Sequence, residues 1–417
     1  MKEYQFDAVV IGGGAAGMAA AVEIRKQGFE PVIIDREEDL GGILLQCIHN
    51  GFGLHEFKEE LTGPEYAERF ANRVREMKLP TFLETTVSEI KDGEIKELCC
   101  YSKKHGVFLV RARAVVLAMG CRERNRGNIG TPGTRPAGIF TAGLAQRLIN
   151  IDGLVPGKDF VIVGSGDIGL IMARRLKWIG CNVHAVVEIQ PYPSGLTRNI
   201  VQCLHDFKTP LYLSHAITRI SGKNRVEGVD ITPIIDGSYD FSRTFKIPCD
   251  GLLLSVGLLP ENEISRKAGV QINYQHNGPM VDSTMMTNCE GIFACGNVVH
   301  VHDLVDFVSE ESQRTGTFVS EYLRGTVPKK QFSIQSGRNV RYVVPEKLDP
   351  EKDNKFYLRP MIVKPSAVME IRANNQIIKT ITKSHIQPSE MISFSLGKKD
   401  LQNVAMEKDP VLEVSFT

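Results

Sequence analysis

Two glycine clusters of one design are the first residues in this chain whose types and spacing could do chemistry. Gly12-Gly13-Gly14-Ala15-Ala16-Gly17 and Gly164-Ser165-Gly166-Asp167-Ile168-Gly169 both fit GxGxxG. In each, the first glycine permits a tight turn, the second lets a pyrophosphate approach the backbone, and the third lets a helix pack closely on a strand. A helix opening at such a turn offers free N–H groups and its positive dipole end to phosphate. Each cluster is followed, at about the expected distance, by an acid placed to accept from ribose hydroxyls: Asp35 for the first and Glu188 for the second. A carboxylate there bonds the 2′-hydroxyl of NAD and repels the 2′-phosphate of NADP. Residues 189–193, Ile-Gln-Pro-Tyr-Pro, supply no arginine for such a phosphate, and Arg198 lies further on. The second site therefore reads as NAD(H) in preference to NADP(H), with Gly164, Gly166, Asp167, Ile168, Gly169 and Glu188 as its candidate contacts.

The elements that must position these clusters are legible around them. Phe6–Ile11 is a short apolar run that ends in glycine and reads as a buried parallel strand. A helix from Ala15 to about Gln27 follows, then a strand at Val32–Ile34. The unit returns as a strand at Phe160–Val163, a helix at Asp167–Ile179 and a strand at Val183–Val187. Buried strands are also expected at 114–120 and 251–257. The turn-rich stretch Gly130–Pro136 reads as a crossing between domains. After Lys329 the texture becomes alternating, as in Val368-Met-Glu-Ile-Arg and Val411-Leu-Glu-Val-Ser-Phe, which suits β-strands. The expected fold is α/β: two Rossmann-like, doubly wound dinucleotide-binding domains plus a small C-terminal β domain. The expected boundaries are 1–120 with 270–329, then 121–269, then 330–417.

Bulk properties narrow the function. Apolar residues make up 42 % of the chain, enough for packed cores. Lys and Arg total 50 against 49 Asp and Glu, so nothing favours nucleic acid or an anionic membrane as main partner. No apolar run reaches the roughly 18 residues of a spanning helix. Glu3 and Asp7 precede the first apolar run, where a signal peptide would carry basic residues, so a cytoplasmic protein is expected. The 9 cysteines include no CxxC pair, and none of their spacings resembles a zinc or iron–sulfur site. No metal is expected.

Further motifs carry a family resemblance. Gly41-Gly42 follows Asp35, Ala118-Met119-Gly120 closes a strand, and Thr287-Asn-Cys-Glu-Gly-Ile-Phe-Ala-Cys-Gly-Asn297 comes late in the chain. Together they resemble the two-dinucleotide-binding-domain flavoproteins, the pyridine nucleotide-disulfide oxidoreductase superfamily of glutathione and thioredoxin reductases. The resemblance implies FAD at the first site. The contacts it implies are Gly12, Gly14, Ala15, Ala16, Gly17, Asp35, Arg36, Gly41, Gly42, Val87, Ala118, Gly120, Gly296 and Asn297. Asn297 stands where the family carries an acid against the ribityl chain, and an amide can still bond a hydroxyl there. Gly42-Ile-Leu-Leu-Gln-Cys-Ile-His-Asn-Gly-Phe-Gly53, Gly120-Cys-Arg-Glu-Arg124 and His300-Val-His-Asp-Leu-Val-Asp306 resemble one bacterial group more closely. Its members accompany anaerobic-type glycerol-3-phosphate dehydrogenases, and related subunits serve in hydrogen cyanide synthase and opine oxidase complexes. That implies a flavoprotein passing electrons between NAD(H) and a protein partner, either as an enzyme or as an electron relay that is inactive without its partner. A homodimer is compatible with the resemblance.

The side chains beyond the cofactors leave alternatives open. A dithiol mechanism needs a thiol pair, and the region after Gly42 holds only Cys47, with His49 and His55 nearby. Cys47 is either a small residue packing under the flavin or a low-pKa thiolate serving disulfide or peroxide reduction. Cys121, beside Arg122 and Arg124, is either structural packing or a thiol whose pKa those arginines lower. His300, His302, Asp303 and Asp306 either border the flavin, with His302 exchanging protons, or cap the following helix and bond one another. As metal ligands the two histidines lack an evident third partner. Arg122-Glu-Arg-Asn-Arg126 is a solvated loop or an anion-docking one.

Overall fold

The computed structural model describes residues 1–326, 331–374, 376–402, 404 and 410–417. The chain forms two compact units, Met1–Cys121 with Pro260–Thr417, and Arg122–Leu259. Each is a mixed α/β body built on a Rossmann-like sheet.

In the first unit, strand β1 (Lys2–Ile11) leads through helix α1 (Ala15–Lys26) to β2 (Pro31–Ile34), which pairs parallel with it. On its other side β1 pairs parallel with β3 (Gly106–Leu117). Ala8 and Val10 are fully buried under helices on one face of this sheet, and Val9 is fully buried against strands and loops on the other. α1 is short-sided, with Ala15, Ala16, Ala19, Ala20 and Ala21 all buried, so it can lie close to its neighbours. β3 is longer than the strand expected at its end. Its first half pairs antiparallel with Lys96–Ser102, which pairs in turn with Thr85–Lys91.

The second unit repeats the plan. Strand β4 (Asp159–Val163), helix α2 (Asp167–Trp178) and strand β5 (Asn182–Val187) form its core. β6 (Gly251–Leu254) pairs with β4. The sheet runs Ile139–Thr141, β6, β4, β5, Leu211–Tyr212, all parallel. A separate antiparallel ladder joins His215–Ser221, Gly228–Ile235 and Phe245–Ile247. The turn-rich stretch expected as a crossing is instead pinned inside this unit: Gly133 bridges Ile220, and Ile220 N donates to Pro132 O at 3.1 Å. Gly133 adopts φ +113, and a Cβ there would stand 2.1 Å from Ile220 O, so close packing explains the glycine.

The chain then returns to the first unit. β7 (Ile292–Ala294) pairs parallel with the end of β3, and α3 (Val305–Leu323) packs against α1. A Cβ on Gly316 of α3 would meet Ala20 O at 2.7 Å, which is how near the two helices lie. The C-terminal segment is β-rich. Phe332–Ser336, Lys347–Leu348, Lys364–Ala373, Gln376–Ile386 and Val411–Phe416 form one sheet, and Val340–Val344, Asn354–Pro360 and Ile392–Leu396 another. Between them Phe356, Met369, Ile371, Leu396, Leu412 and Phe416 make a core of their own. Glu346 ties this segment to the rest of the unit by accepting from His276, Asn273 and the Val281 amide. The expected boundary at 329–330 lies outside the described residues. Among the described residues no helix is long and apolar enough to cross a membrane.

Candidate functional site

The first glycine cluster folds as its chemistry requires. Gly12 adopts φ +111, and a Cβ would stand 2.3 Å from Ala118 O, because the chain leaving β3 crosses directly over it. That crossing also ends the strand expected over 114–120 at Leu117, with Ala118 N donating to Ile11 O at 2.9 Å. A Cβ on Gly17 would overlap Gly12 O at 1.8 Å, the close helix–strand packing expected of the third glycine. Gly14 differs: no protein atom lies within 4 Å of where its Cβ would be. Nothing in the chain demands glycine there, while an anion seated on the first turn of α1 would. Gly41 N donates to Gly13 O at 2.9 Å, and a Cβ on Gly42 (φ +56) would stand 3.2 Å from Gly14 Cα. The glycine pair thus closes onto the same turn.

Asp35, at the end of β2, accepts from the Gly13 and Glu37 amides. Burial raises its carboxyl above the usual range, and those two backbone donors only partly offset it. Arg36 is exposed, within 3.7 Å of Glu37, and Val87 is buried in the strand Thr85–Lys91. Ala15, Ala16 and Ala118 are buried, and Gly120 has φ +69 with open space at its Cβ. Gly296 (φ +72) abuts α1, its Cβ position 2.8 Å from Ala16 Cβ. Asn297 Oδ1 accepts from His302 N at 3.0 Å, and its amide nitrogen lies 3.9 Å from Cys121 Sγ. Gly12, Gly14, Gly17, Asp35, Gly41, Gly42 and Ala118 thus meet around the start of α1, with Gly296 against Ala16, and open space remains at Gly14.

In the second unit Gly164 (φ +90) and Gly169 lie under Ser255, with Cβ positions 2.1 Å from its carbonyl and 2.7 Å from its Cβ. The strand expected over 251–257 stops at Leu254 for the reason β3 stops early. Glu188 is buried and accepts from Ser165 N at 2.9 Å, Ser165 Oγ at 2.6 Å, Gln190 N at 2.9 Å and Ser194 Oγ at 2.9 Å. Asp167 opens α2 and accepts from Leu196 N and Asn199 Nδ2. Ile168 is partly buried against the same core. Arg126 donates to the Thr131, Gly133 and Thr134 carbonyls. It folds its own loop together, while Arg122 and Asn125 in the same stretch are exposed.

Cys47 ends the short helix Gly42–Gln46 and donates to Ile43 O at 3.3 Å. Burial pushes its thiol up to about 12, the reverse of thiolate activation. The polar cluster after Asn297 is distributed otherwise than its sequence order suggests. Asp306 accepts from the Gly53, His55 and Glu56 amides and organises that loop. Asp303 pairs with Arg359 at 2.6 Å and accepts from Met391 N. The histidines turn away from both acids to Glu311, on α3. Its Oε2 lies 3.2 Å from His300 Nε2 and 3.3 Å from His302 Nε2, and its Oε1 accepts from Gly296 N at 2.8 Å. All three side chains are fully buried. Burial pushes His300 down to about 3, helped by His302. Burial alone would raise Glu311, but the two imidazoles outweigh it and hold the carboxyl well below its usual range. Sequence reasoning missed Glu311 because it lies within the helix, beyond the stretch that held the histidines. Its only signal is being an acid among the apolar and small residues that helix buries.

A family model for pyridine nucleotide-disulphide oxidoreductases matches residues 6–316. The chain belongs to that family. As such it is a FAD-dependent oxidoreductase that uses a pyridine nucleotide. Its relatives include a thioredoxin reductase from Mycolicibacterium smegmatis, 24 % identical over 70 % of this chain and 88 % of that one. An opine oxidase subunit from Agrobacterium tumefaciens is 25 % identical over 70 % of this chain and 61 % of that one. This oxidoreductase thus spans less than two thirds of the opine oxidase protein's length. Among solved structures it is similar to the thioredoxin reductase of T. acidophilum, with a TM-score of 0.63 at 21 % identity over 76 % of this chain and 98 % of that one. That likeness is one of fold.

Proposed function

We propose that this oxidoreductase passes hydride between NAD(H) and FAD, and electrons between that flavin and a partner protein. In this reading residues 1–120 and 270–329 hold FAD, 121–269 hold the nicotinamide dinucleotide, and 330–417 serve docking or dimerisation. Bound FAD supplies hydride exchange with the nicotinamide, chemistry that belongs to the cofactors. The chain's own residues do the holding. The first turn of α1 offers its N–H groups to one pyrophosphate, the turn at Gly164–Gly169 to the other, and Asp35 and Glu188 stand where ribose hydroxyls would donate. Glu188, a buried carboxylate with no arginine in the five residues after it, favours NAD(H) over NADP(H).

The observation that carries the partner reading is Cys47. Cys47 is half-buried, its thiol donates to Ile43 O, and desolvation pushes it up to about 12, which weighs against the single-cysteine disulfide or peroxide route. Electrons then leave the flavin without a thiol relay. The opine oxidase relative is by its name one subunit of an enzyme, which supports a partner protein. The resemblance of the His300–Asp306 segment favours a glycerol-3-phosphate dehydrogenase flavoprotein. An anaerobic titration of the flavin-loaded protein tests this. NADH, and not NADPH, should bleach the flavin band at about 450 nm stoichiometrically. Steady turnover should then require the dehydrogenase partner. Flavin that neither nucleotide reduces would end the proposal, and rapid turnover with a small disulfide, abolished in Cys47→Ser, would replace it with the thiol route.

A further inference from the structure

The proposed hydride path gives no role to the group His300, His302 and Glu311. Two imidazoles and a carboxylate meet in a fully buried place, with candidate donor atoms all within 4.8 Å of one another. Both imidazole Nε2 atoms face one oxygen, Glu311 Oε2, at 3.2 and 3.3 Å. Hydrogen bonds between charged partners are shorter, about 2.7–2.9 Å. His302 is the more telling residue. Its Nε2 lies off the line a hydrogen bond to Glu311 needs, and neither of its ring nitrogens has a hydrogen-bond partner among the described residues. Buried polar groups are nearly always satisfied, and a bound ion is one of the explanations an exception calls for.

A metal ion satisfies the spacing. Zinc binds imidazole nitrogen and carboxylate oxygen at about 2.0–2.2 Å, so tetrahedral geometry separates neighbouring donors by about 3.3–3.6 Å. The two measured separations fall at or just under the short end of that range. The donor set, two imidazoles and one carboxylate, is also one that first-row divalent cations take. The carboxylate's outer oxygen is already oriented by Gly296 N, as the supporting shell of a metal ligand should be.

We propose that His300, His302 and Glu311 bind one first-row divalent cation of the zinc class. The ion staples the loop after Asn297 to α3 and, through Glu311 and Gly296, stiffens the second flavin motif. It borders the first glycine cluster through Gly296, which abuts Ala16, but takes none of that cluster's residues as ligands, and it stands whether or not the hydride reading does.

The test is metal content of the full-length, flavin-loaded protein, purified from zinc-supplemented cells and desalted, read by mass spectrometry. The expected result is about one zinc per chain, with a zinc-edge absorption spectrum showing only nitrogen and oxygen neighbours, imidazoles among them. Glu311→Gln keeps an oxygen for Gly296 N, and His302→Asn keeps a polar side chain. Each should lower zinc affinity by more than the roughly 10–100-fold that losing a supporting partner costs, while circular dichroism stays unchanged. Should either variant fail to fold, the parent's absorption spectrum and its melting temperature with and without added Zn²⁺ decide alone. Less than about a tenth of a zinc per chain, sulfur in the first shell, or equal zinc in parent and folded variants would each overturn the site. NADH titration of the same samples reports separately on the proposed function.

Discussion

Gly14→Ala separates what the chain needs for folding from what it needs for a dinucleotide. At Gly12 the two cannot be told apart. An alanine there would combine left-handed backbone, about 1–2 kcal/mol, with overpacking against Ala118 O, about 1–3 kcal/mol. That sum is a large part of a domain's whole stability. Gly14 has φ −75, a conformation alanine adopts freely, and its Cβ would meet nothing. As the N-cap of α1 the alanine costs about 1 kcal/mol, offset by about 0.4–1 kcal/mol from a stiffer unfolded chain. The flavin-free protein should therefore melt as the parent does, within about 1 kcal/mol. FAD should bind far worse, since the methyl group occupies the space the pyrophosphate would take. Losing one charge-assisted hydrogen bond, about 1.5–3 kcal/mol, weakens affinity roughly 10–150-fold. Differential scanning calorimetry of the flavin-free protein and fluorescence titration with FAD measure the two terms. A Gly14→Ala protein that binds FAD within about threefold of the parent would refute the placement of the pyrophosphate on this turn.

Glu188→Gln removes the charge that opposes a 2′-phosphate while keeping an acceptor for Ser165. The ratio of kcat/KM for NADPH to that for NADH should rise about tenfold or more, an effect of at least roughly 1.4 kcal/mol, and an unchanged ratio would dismiss Glu188 as the selector. Cys47→Ser should leave NADH-driven flavin reduction within about twofold of the parent, because a thiol raised to about 12 is almost wholly protonated at pH 8; stopped-flow absorbance decides. Cys47, Cys100, Cys249 and Cys295 are each raised from 9.0 to about 12 by burial. The unfolded chain thus loses these protons first, so stability is full below pH 9 and falls as pH rises from 9 towards 12; urea melts at pH 8 and pH 10 should show the decline, and equal midpoints would contradict it. Arg359→Met strands Asp303, which the guanidinium meets at 2.6 Å while also bonding Val301 O. Breaking such a largely buried pair costs about 3–5 kcal/mol, which a denaturant midpoint will show, and a loss under about 1 kcal/mol would mean the pair is solvated.

What the sequence made legible was local. Both strand–turn–helix units were readable because glycine is confined to special geometry and because parallel strands are apolar throughout, so Val9–Ile11 and Phe160–Val163 announce themselves. The unread parts are long-range. Nothing near His300 in the chain points to Glu311, which meets it only because α3 turns back along the loop. Nothing near Asp303 points to Arg359, brought by a strand of the C-terminal segment. The strands at 85–91 and 96–102 went unplaced for another reason: Val87 and Ile90 are buried but separated by exposed Ser88 and Glu89, a bulged pattern that breaks the period of two. Gly130–Pro136 misled because turn-forming composition does not say whether a turn links two bodies or is folded onto one.

The two units also share a detail that explains why the acids recur, apart from any nucleotide. Asp35 accepts from the amide of Gly13, and Glu188 from that of Ser165. Each is the residue after the first glycine. Each acid then accepts from the amide two residues on, at Glu37 and Gln190. A carboxylate at the end of the second strand therefore fixes the glycine turn to that strand before any ribose is bound, and a shorter polar side chain would leave buried amides unsatisfied. The units diverge in what else reaches the carboxylate. Glu188 also takes the hydroxyls of Ser165 and Ser194. Both hydroxyls share Oε2 with the Ser165 amide, so Oε1 takes only the Gln190 amide among the described residues, just as Asp35 Oδ1 takes only that of Glu37, and each acid keeps one oxygen with lone pairs to spare.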